Sequence, residues 1–344
     1  MVRRLGWAVV LFLVVTLYTF ILFFVVPYHD INLGARSQGL SSEASTVQES
    51  LQIDGDNVVS AYTQFLTHVV HGDLGRSFYN RRPVTELIGD AVSATASLVF
   101  GGMIVYLLVG FTVGIVSALR PRSLLDRASM VFILVGISAH PLWIGYMLAL
   151  VFGNRLGWFP ASGYCDVFYT TSACGGPVQW AYHLVLPWVA FAAAFAALYA
   201  RMIRASLRDT LDEDYVRTAR AKGYGTWGVV RWHALRPAMI PVVTMLGMDL
   251  GLAFAGSLFV ERAFSLPGVG NLLYTALQRH DLPVILGVVV VVTTTILVFN
   301  LFVALAYGLL DPRTRVTPAA RPAERERRTA PATDTRPAPA ASVP

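Results

Sequence analysis

Asp214-Tyr-Val-Arg-Thr-Ala-Arg-Ala-Lys-Gly223 lies within a polar segment from Arg201 to Pro237, between two long apolar stretches. Asp212 or Asp214 is placed to cap a short helix over Asp214–Lys222, and an acidic start suits the helix dipole. Gly223 and Gly225 should end it, Thr226 should begin a second helix over Trp227–Leu235, and Pro237 opens the next apolar stretch. Tyr215, Ala219 and Lys222 recur at helical spacing, with Val216 beside them. A helix this short is marginal alone. It therefore reads as a docking element, either laid on anionic lipid as a basic amphipathic helix or seated in the groove of a partner protein.

The flanking stretches decide what kind of chain carries this loop. Of the 344 residues 55% are hydrophobic and 14% charged, against roughly 25% charged in a soluble domain. The apolar residues come in blocks of about 20, enough to cross some 30 Å of hydrocarbon. Six spans are predicted: Leu5–Pro27, Ala94–Leu119, Ala128–Phe152, Trp180–Ala200, Ala238–Val260 and Pro283–Leu310. The first follows Arg3 and Arg4 but runs on past the usual length of a signal core, with no small-x-small cleavage site after it, so it is expected to stay as a membrane helix. The chain thus divides into a first span (1–28), an external segment (29–93), a five-helix core (94–310) holding the 201–237 loop, and a Pro/Ala/Arg-rich tail (311–344) expected to be disordered.

Arginine placement orients the spans. With the N-terminus inside, 20 Arg/Lys fall in internal segments and seven in external ones, which puts both termini in the cytoplasm. The net charge of +6 then reflects topology, and no nucleic-acid partner is needed to explain it. The long external segment reads as loop from Asn32 to Glu49. Asp56 or Asn57 then caps a small amphipathic helix, with Val58, Val59, Tyr62, Phe65, Leu66, Val69 and Val70 at helical spacing and Gly72 ending it. This element packs on the ends of its own spans or also helps to dock an external protein.

A few residues stand out chemically. Cys165 and Cys174 share a Gly/Pro-rich external loop, where a disulfide or two unpaired thiols are the alternatives; no further Cys or His lies in that loop to complete a metal site. His140-Pro141 should kink span three. Asp249 is the one acidic residue within a predicted span, where a carboxylate must face protein or water rather than lipid. Asn300 sits in span six. His140, Asp249 and Asn300 are the candidate lining of a translocation pathway. The only lysine, Lys222, is followed by Gly223-Tyr224, so there is no phosphate-cradling Gly-Lys-Ser/Thr run, and no metal cluster or nucleophile constellation emerges.

Taken together, these stretches resemble the B-type permease subunit of the oligopeptide/dipeptide/nickel group of ATP-binding-cassette (ABC) importers. Asp214–Gly223 followed by His233-Ala-Leu-Arg236 looks like that family's cytoplasmic coupling loop. The likeness extends to Gly72-Asp-Leu-Gly-Arg-Ser77, Pro83–Ile88, Leu156–Gly163, His183-Leu-Val-Leu-Pro187, Pro241–Thr244, Glu261–Gly270 and Leu310-Asp-Pro-Arg313. The resemblance implies an all-α, six-span permease of type I importer architecture in a bacterial cytoplasmic membrane, moving short peptides by alternating access. It implies a second, C-type permease subunit, two ABC ATPase subunits or domains, an extracytoplasmic substrate-binding protein, and surrounding membrane lipid as partners. ATP and Mg²⁺ would be used by the ATPases, leaving this chain non-catalytic and without a cofactor. Asp214, Tyr215, Val216, Ala219, Lys222 and Gly223 are the positions expected to couple to an ATPase. Departures exist: Asp249 stands where the family commonly has glutamine, and Ala304 where many members are acidic. Nickel or haem are alternative cargoes, and a secondary transporter or channel not driven by ATP is the alternative mechanism, although such a protein usually shows several pathway charges and repeated halves.

Overall fold

A computed structural model describes residues 2–21, 58–167 and 174–310. Apolar runs separated by proline, glycine and charge become helices, and among the described residues there is no strand, only an isolated bridge between Arg76 and Pro83. In chain order they are α1 (Val2–Phe20), α2 (Val58–Val70), α3 (Val84–Leu119), α4 (Leu124–Ser138) and α5 (Pro141–Leu148), the last continued by a π-helical turn, Ala149–Arg155. There follow α6 (Pro177–Leu211), α7 (Asp214–Ala221), α8 (Thr226–Val229), a π turn Val230–Ala234, α9 (Leu235–Ala238), α10 (Ile240–Phe264), α11 (Val269–Gln278) and α12 (Leu282–Leu310).

Helices α3 and α12 are each long and apolar enough to cross a membrane, and three bent pairs raise the number of candidate spans to five. Helix α1 contributes a shorter apolar helix, Val9–Phe20; the remainder of the predicted first span, like the Asn32–Glu49 loop, the Asp56/Asn57 cap and the tail, lies outside the described residues. Two spans begin or end elsewhere than hydropathy suggests. Pro83 precedes a single 36-residue helix, which begins ten residues before the predicted start of span two. Span four extends as α6 to Leu211, so the first third of the polar loop is helix.

Span three departs most from its reading. Its halves, Leu124–Ser138 and Pro141–Arg155, meet at 106°. Proline at the first position of a helix starts it rather than kinking it, and the His140 imidazole Nδ1 caps the new helix by accepting from the Leu142 N–H at 3.2 Å.

The core is organised on α3 and α6. Gly110 and Gly114 of α3 lie against Tyr199 and Ile203 of α6, with no room for a Cβ at either glycine, the small-residue packing that brings helices together where lipid offers no hydrophobic drive. Gly136 makes a similar approach from α4 to Ala193 and Ala197, and Gly145 from α5 to Ala263. One apolar cluster joins α3, α5, α6 and α10 through Leu98, Tyr106, Phe191 and Phe264. A second joins α1, α2, α11 and α12 through Phe20, Phe65, Val269 and Ile285, so helix α2 packs on spans of its own chain.

Candidate functional site

The polar loop folds against itself before it can meet anything else. Glu213, not Asp212 or Asp214, occupies the N-cap of α7, and it makes no side-chain cap bond; its carbonyl instead accepts from the Val216 and Arg217 N–H groups. Gly223 takes φ of +88°, the left-handed position that ends the helix, and Lys222 is the C-cap. Val216 (0% exposed) and Ala219 (4%) pack on Val229 of α8 and Leu211 of α6. The expected face therefore splits. Val216 and Ala219 turn inward, while Asp214, Tyr215 and Lys222 stay at the surface with Arg217, Thr218 and Arg220. Partial burial, with Glu213 adding to it, pushes the Tyr215 phenol above its ordinary range. Exposed Tyr224, Trp227 and Trp232 extend this surface, and aromatic and arginine side chains are what protein interfaces favour.

The same loop is fastened to the spans. Ala234 and Ala238 are buried with Leu207 of α6 and Ala118 of α3. The Ser206 hydroxyl donates to the Ala238 carbonyl at 2.9 Å. Just above, Arg204 of α6 forms a two-pronged pair with Asp126 of α4 at 2.9 and 3.1 Å, and Asp126 also accepts from Ser117 of α3 at 2.5 Å and from the Arg122 N–H at 3.0 Å. Contacts thus run from α7 through Leu211 to the ends of α3, α4 and α6. Sequence reasoning counted Arg204 only among the internal arginines and gave Asp126 no role; nothing local marks them as a pair across 78 residues.

The three candidate pathway residues do not meet. Asp249, half-buried on α10, accepts from the Tyr199 hydroxyl at 3.0 Å, and the Tyr199 ring lies 5.0 Å from that of Tyr106 on α3. His140 touches α10 at Phe259, edge to face at 4.6 Å, ten residues or about 15 Å along the helix from Asp249. Asn300 sits on the exposed side of α12.

Two polar anchors at the other end of the bundle were not anticipated. Glu261 is wholly buried and accepts from Thr95 and Ser257 hydroxyls at 2.8 and 2.9 Å and from the Asn271 N–H at 2.9 Å. Asp281 receives the Ser77 hydroxyl at 2.5 Å and the Phe78 N–H at 3.2 Å, so the Gly72–Phe78 turn is tied to the start of α12. Beside Glu261 opens a cavity of about 380 Å³ lined by Val92, Phe100, Leu258, Leu273 and Val292. Cys165 and Cys174 form a disulfide, Cα atoms 5.4 Å apart. His183, brought in from α6, puts its Nδ1 3.3 Å from the Cys165 Sγ; with both sulfurs bonded to each other, the imidazole alone is left as a potential ligand.

These features define a polytopic helical membrane protein whose polar loop is folded and packed against its spans. Residues 110–316 match the family model described as "Binding-protein-dependent transport system inner membrane component", and residues 1–99 match "Binding-prot-dependent transport system membrane comp, N-term". The chain belongs to this family, and is accordingly a permease component of an ABC importer in a bacterial inner membrane. It is 35% identical over 331 residues to the dipeptide transport system permease protein DppB of Escherichia coli strain K12, covering 91% of this chain and 97% of that one. A Brucella suis biovar 1 protein provisionally named as a peptide permease is 39% identical over 258 residues, 74% of this chain and 79% of its own. A Brucella abortus strain 2308 protein, provisionally named as a peptide transport system permease, is 32% identical over 313 residues, 91% of this chain and 98% of its own.

Proposed function

We propose that this chain forms half of the translocation pathway of an ATP-driven importer of short peptides, with both termini in the cytoplasm. It pairs with a second, C-type permease, two cytoplasmic ATPases each grip one coupling loop, and an external binding protein delivers the cargo. ATP and Mg²⁺ are handled by the ATPases, and this chain is not catalytic. The observation that carries this reading is the split character of α7, whose inner face is packed on its own loop and whose outer face is exposed, charged and aromatic.

Closure of the ATPases pushes α7. Because Val216 and Ala219 lock it to Val229 and Leu211, the push reaches α6 and, through Arg204 and Asp126, the α3–α4 turn, rocking the spans between inward and outward opening. Peptide cargo is supported by the names of the relatives and by the lack, among the described residues, of a ligand cluster of the kind nickel or haem iron prefers near Asp249.

The test is reconstitution of the two permeases and two ATPases in proteoliposomes, supplied with the binding protein, with this chain carrying Tyr215→Ala plus Lys222→Glu. These variants leave the inner face intact. ATP-driven peptide uptake is expected to fall about 10-fold or more, as when central interface side chains are lost, while the ATPases still hydrolyse ATP. Normal uptake by the double variant would sink the coupling assignment, and nucleotide-free, proton-driven uptake by the wild type would overturn the importer reading.

A further inference from the structure

Asp249 sits ten residues into the 25-residue α10, roughly 15 Å from its start, and so at mid-span. The helix bends there by 62° between Ile240–Gly247 and Gly251–Phe264, with a glycine on either side of the carboxylate. Broken helices at membrane depth occur where backbone and polar groups line a cavity rather than face lipid.

The carboxylate is held but not neutralised. Oδ2 accepts from Tyr199, whose ring is fully buried against Tyr106; both aromatics belong to the rigid α3–α6 pair. Oδ1 has no hydrogen-bond partner among the described residues, and no Arg, Lys or His among them pairs with Asp249. A half-exposed carboxylate at this depth cannot face lipid. Its open oxygen therefore looks into whatever the bundle encloses with its partner.

The donor set narrows what that oxygen meets. One free carboxylate oxygen, with a single phenol beside it, is too few ligands for a divalent cation, which takes six or more oxygens or several nitrogen donors. A guanidinium prefers to use both oxygens of a carboxylate, and one is already committed. A primary ammonium needs one. Every unmodified peptide carries one such group whatever its sequence, so a lone mid-path carboxylate would read what is constant in the cargo and leave its side chains unread.

We propose that Asp249, aimed by the Tyr199 hydroxyl, receives the protonated amino terminus of a peptide as it passes through the importer. This rests on the importer reading above. The contact is single and partly open, as a transit site must be if the cargo is to leave again.

The experiment compares ATP-driven uptake of tri-alanine by the reconstituted complex carrying Asp249→Asn with that of the wild type, as a ratio taken across pH. The ratio cancels the pH dependence of the binding protein and the ATPases. Tyr199 from α6 and, behind it, Tyr106 from α3 are the titratable groups that face Asp249, and an ordinary phenol keeps its proton to about pH 10. The ratio is expected to be about 0.1 near pH 6.5, the loss of one charge-assisted hydrogen bond. It should climb towards one by about pH 9, as the peptide amine (ordinary pKa about 7.7–8.0) loses its proton. Asp249→Glu should stay within about threefold of wild type with an unchanged pH profile, since a carboxylate is retained. If the Asn variant fails to assemble, Tyr199→Phe carries the same comparison, with a smaller ratio change in the same direction.

A ratio that is low but flat across pH, as a cation of the second permease subunit would produce, overturns the proposal. So does a ratio near one throughout. Absence of ATP-driven uptake by the wild type is a different failure, overturning the importer reading itself.

Discussion

Glu261 has no surface open to solvent, and its carboxylate is surrounded by donors drawn from three elements. Thr95 of α3 acts twice, donating to Glu261 and accepting from the Val269 N–H at 2.8 Å, so the first amides of α11 are satisfied by a hydroxyl and a carboxylate from other helices. The glycines of Glu261–Gly270 follow from this. A Cβ at Gly268 would collide with the carboxylate, and one at Gly270 with Leu258. Thr95→Val should therefore destabilise the protein by about 1–3 kcal/mol, because it strands a buried N–H and a buried carboxylate oxygen. Thr112→Val, which removes only bonds to carbonyls of its own helix, should stay within about 0.5 kcal/mol. Thermal unfolding in detergent compares the two, and equal melting temperatures would refute the anchoring role.

Among the elements, α3 and α6 form the frame on which the others are hung, and its quality depends on two glycines. Gly110→Leu should cost about 1–3 kcal/mol by forcing Tyr199 and the Ala196–Ala200 backbone aside. Gly89→Ala, in the same helix but with open space around it, should gain up to about 1 kcal/mol from helix propensity. Matched melting curves test this, and a neutral Gly110→Leu would mean the helices do not pack as closely as described. Span positions could be read from the chain because hydropathy and length are local properties. The 106° break could not: His140-Pro141 announces a disturbance, but whether proline kinks a helix or starts one depends on the capping bond made by His140. The apolar positions of α7 were legible as a stripe, yet amphipathicity does not say whose surface covers it. Val216 and Ala219 are covered by Val229 and Leu211, not left for a partner. Arg204–Asp126, Thr95–Glu261 and Ser77–Asp281 lie beyond any reading by periodicity, since their partners are 78 to 204 residues apart and none belongs to a repeating pattern.

For the molecule as a whole, the anchors gather at its two ends. The Arg204–Asp126 pair and the loop cluster hold one end, while the disulfide, Glu261 and Asp281 hold the other. From the arginine distribution we propose that the first end lies in the cytoplasm, and thiol labelling checks it. With Cys165→Ser, an impermeant maleimide added to spheroplasts should modify Cys174. In a cysteine-free background, Thr218→Cys should be modified only after the membrane is permeabilised. Labelling in the opposite order would invert the topology.

The inward turn of Val216 and Ala219 also separates two kinds of inheritance. On the coupling role proposed above, residues that keep the loop folded answer to their own chain, while the exposed Tyr215, Arg217, Thr218 and Lys222 answer to the ATPase. A lineage can therefore exchange one ATPase for another by altering a few exterior side chains, without renegotiating the fold that carries them.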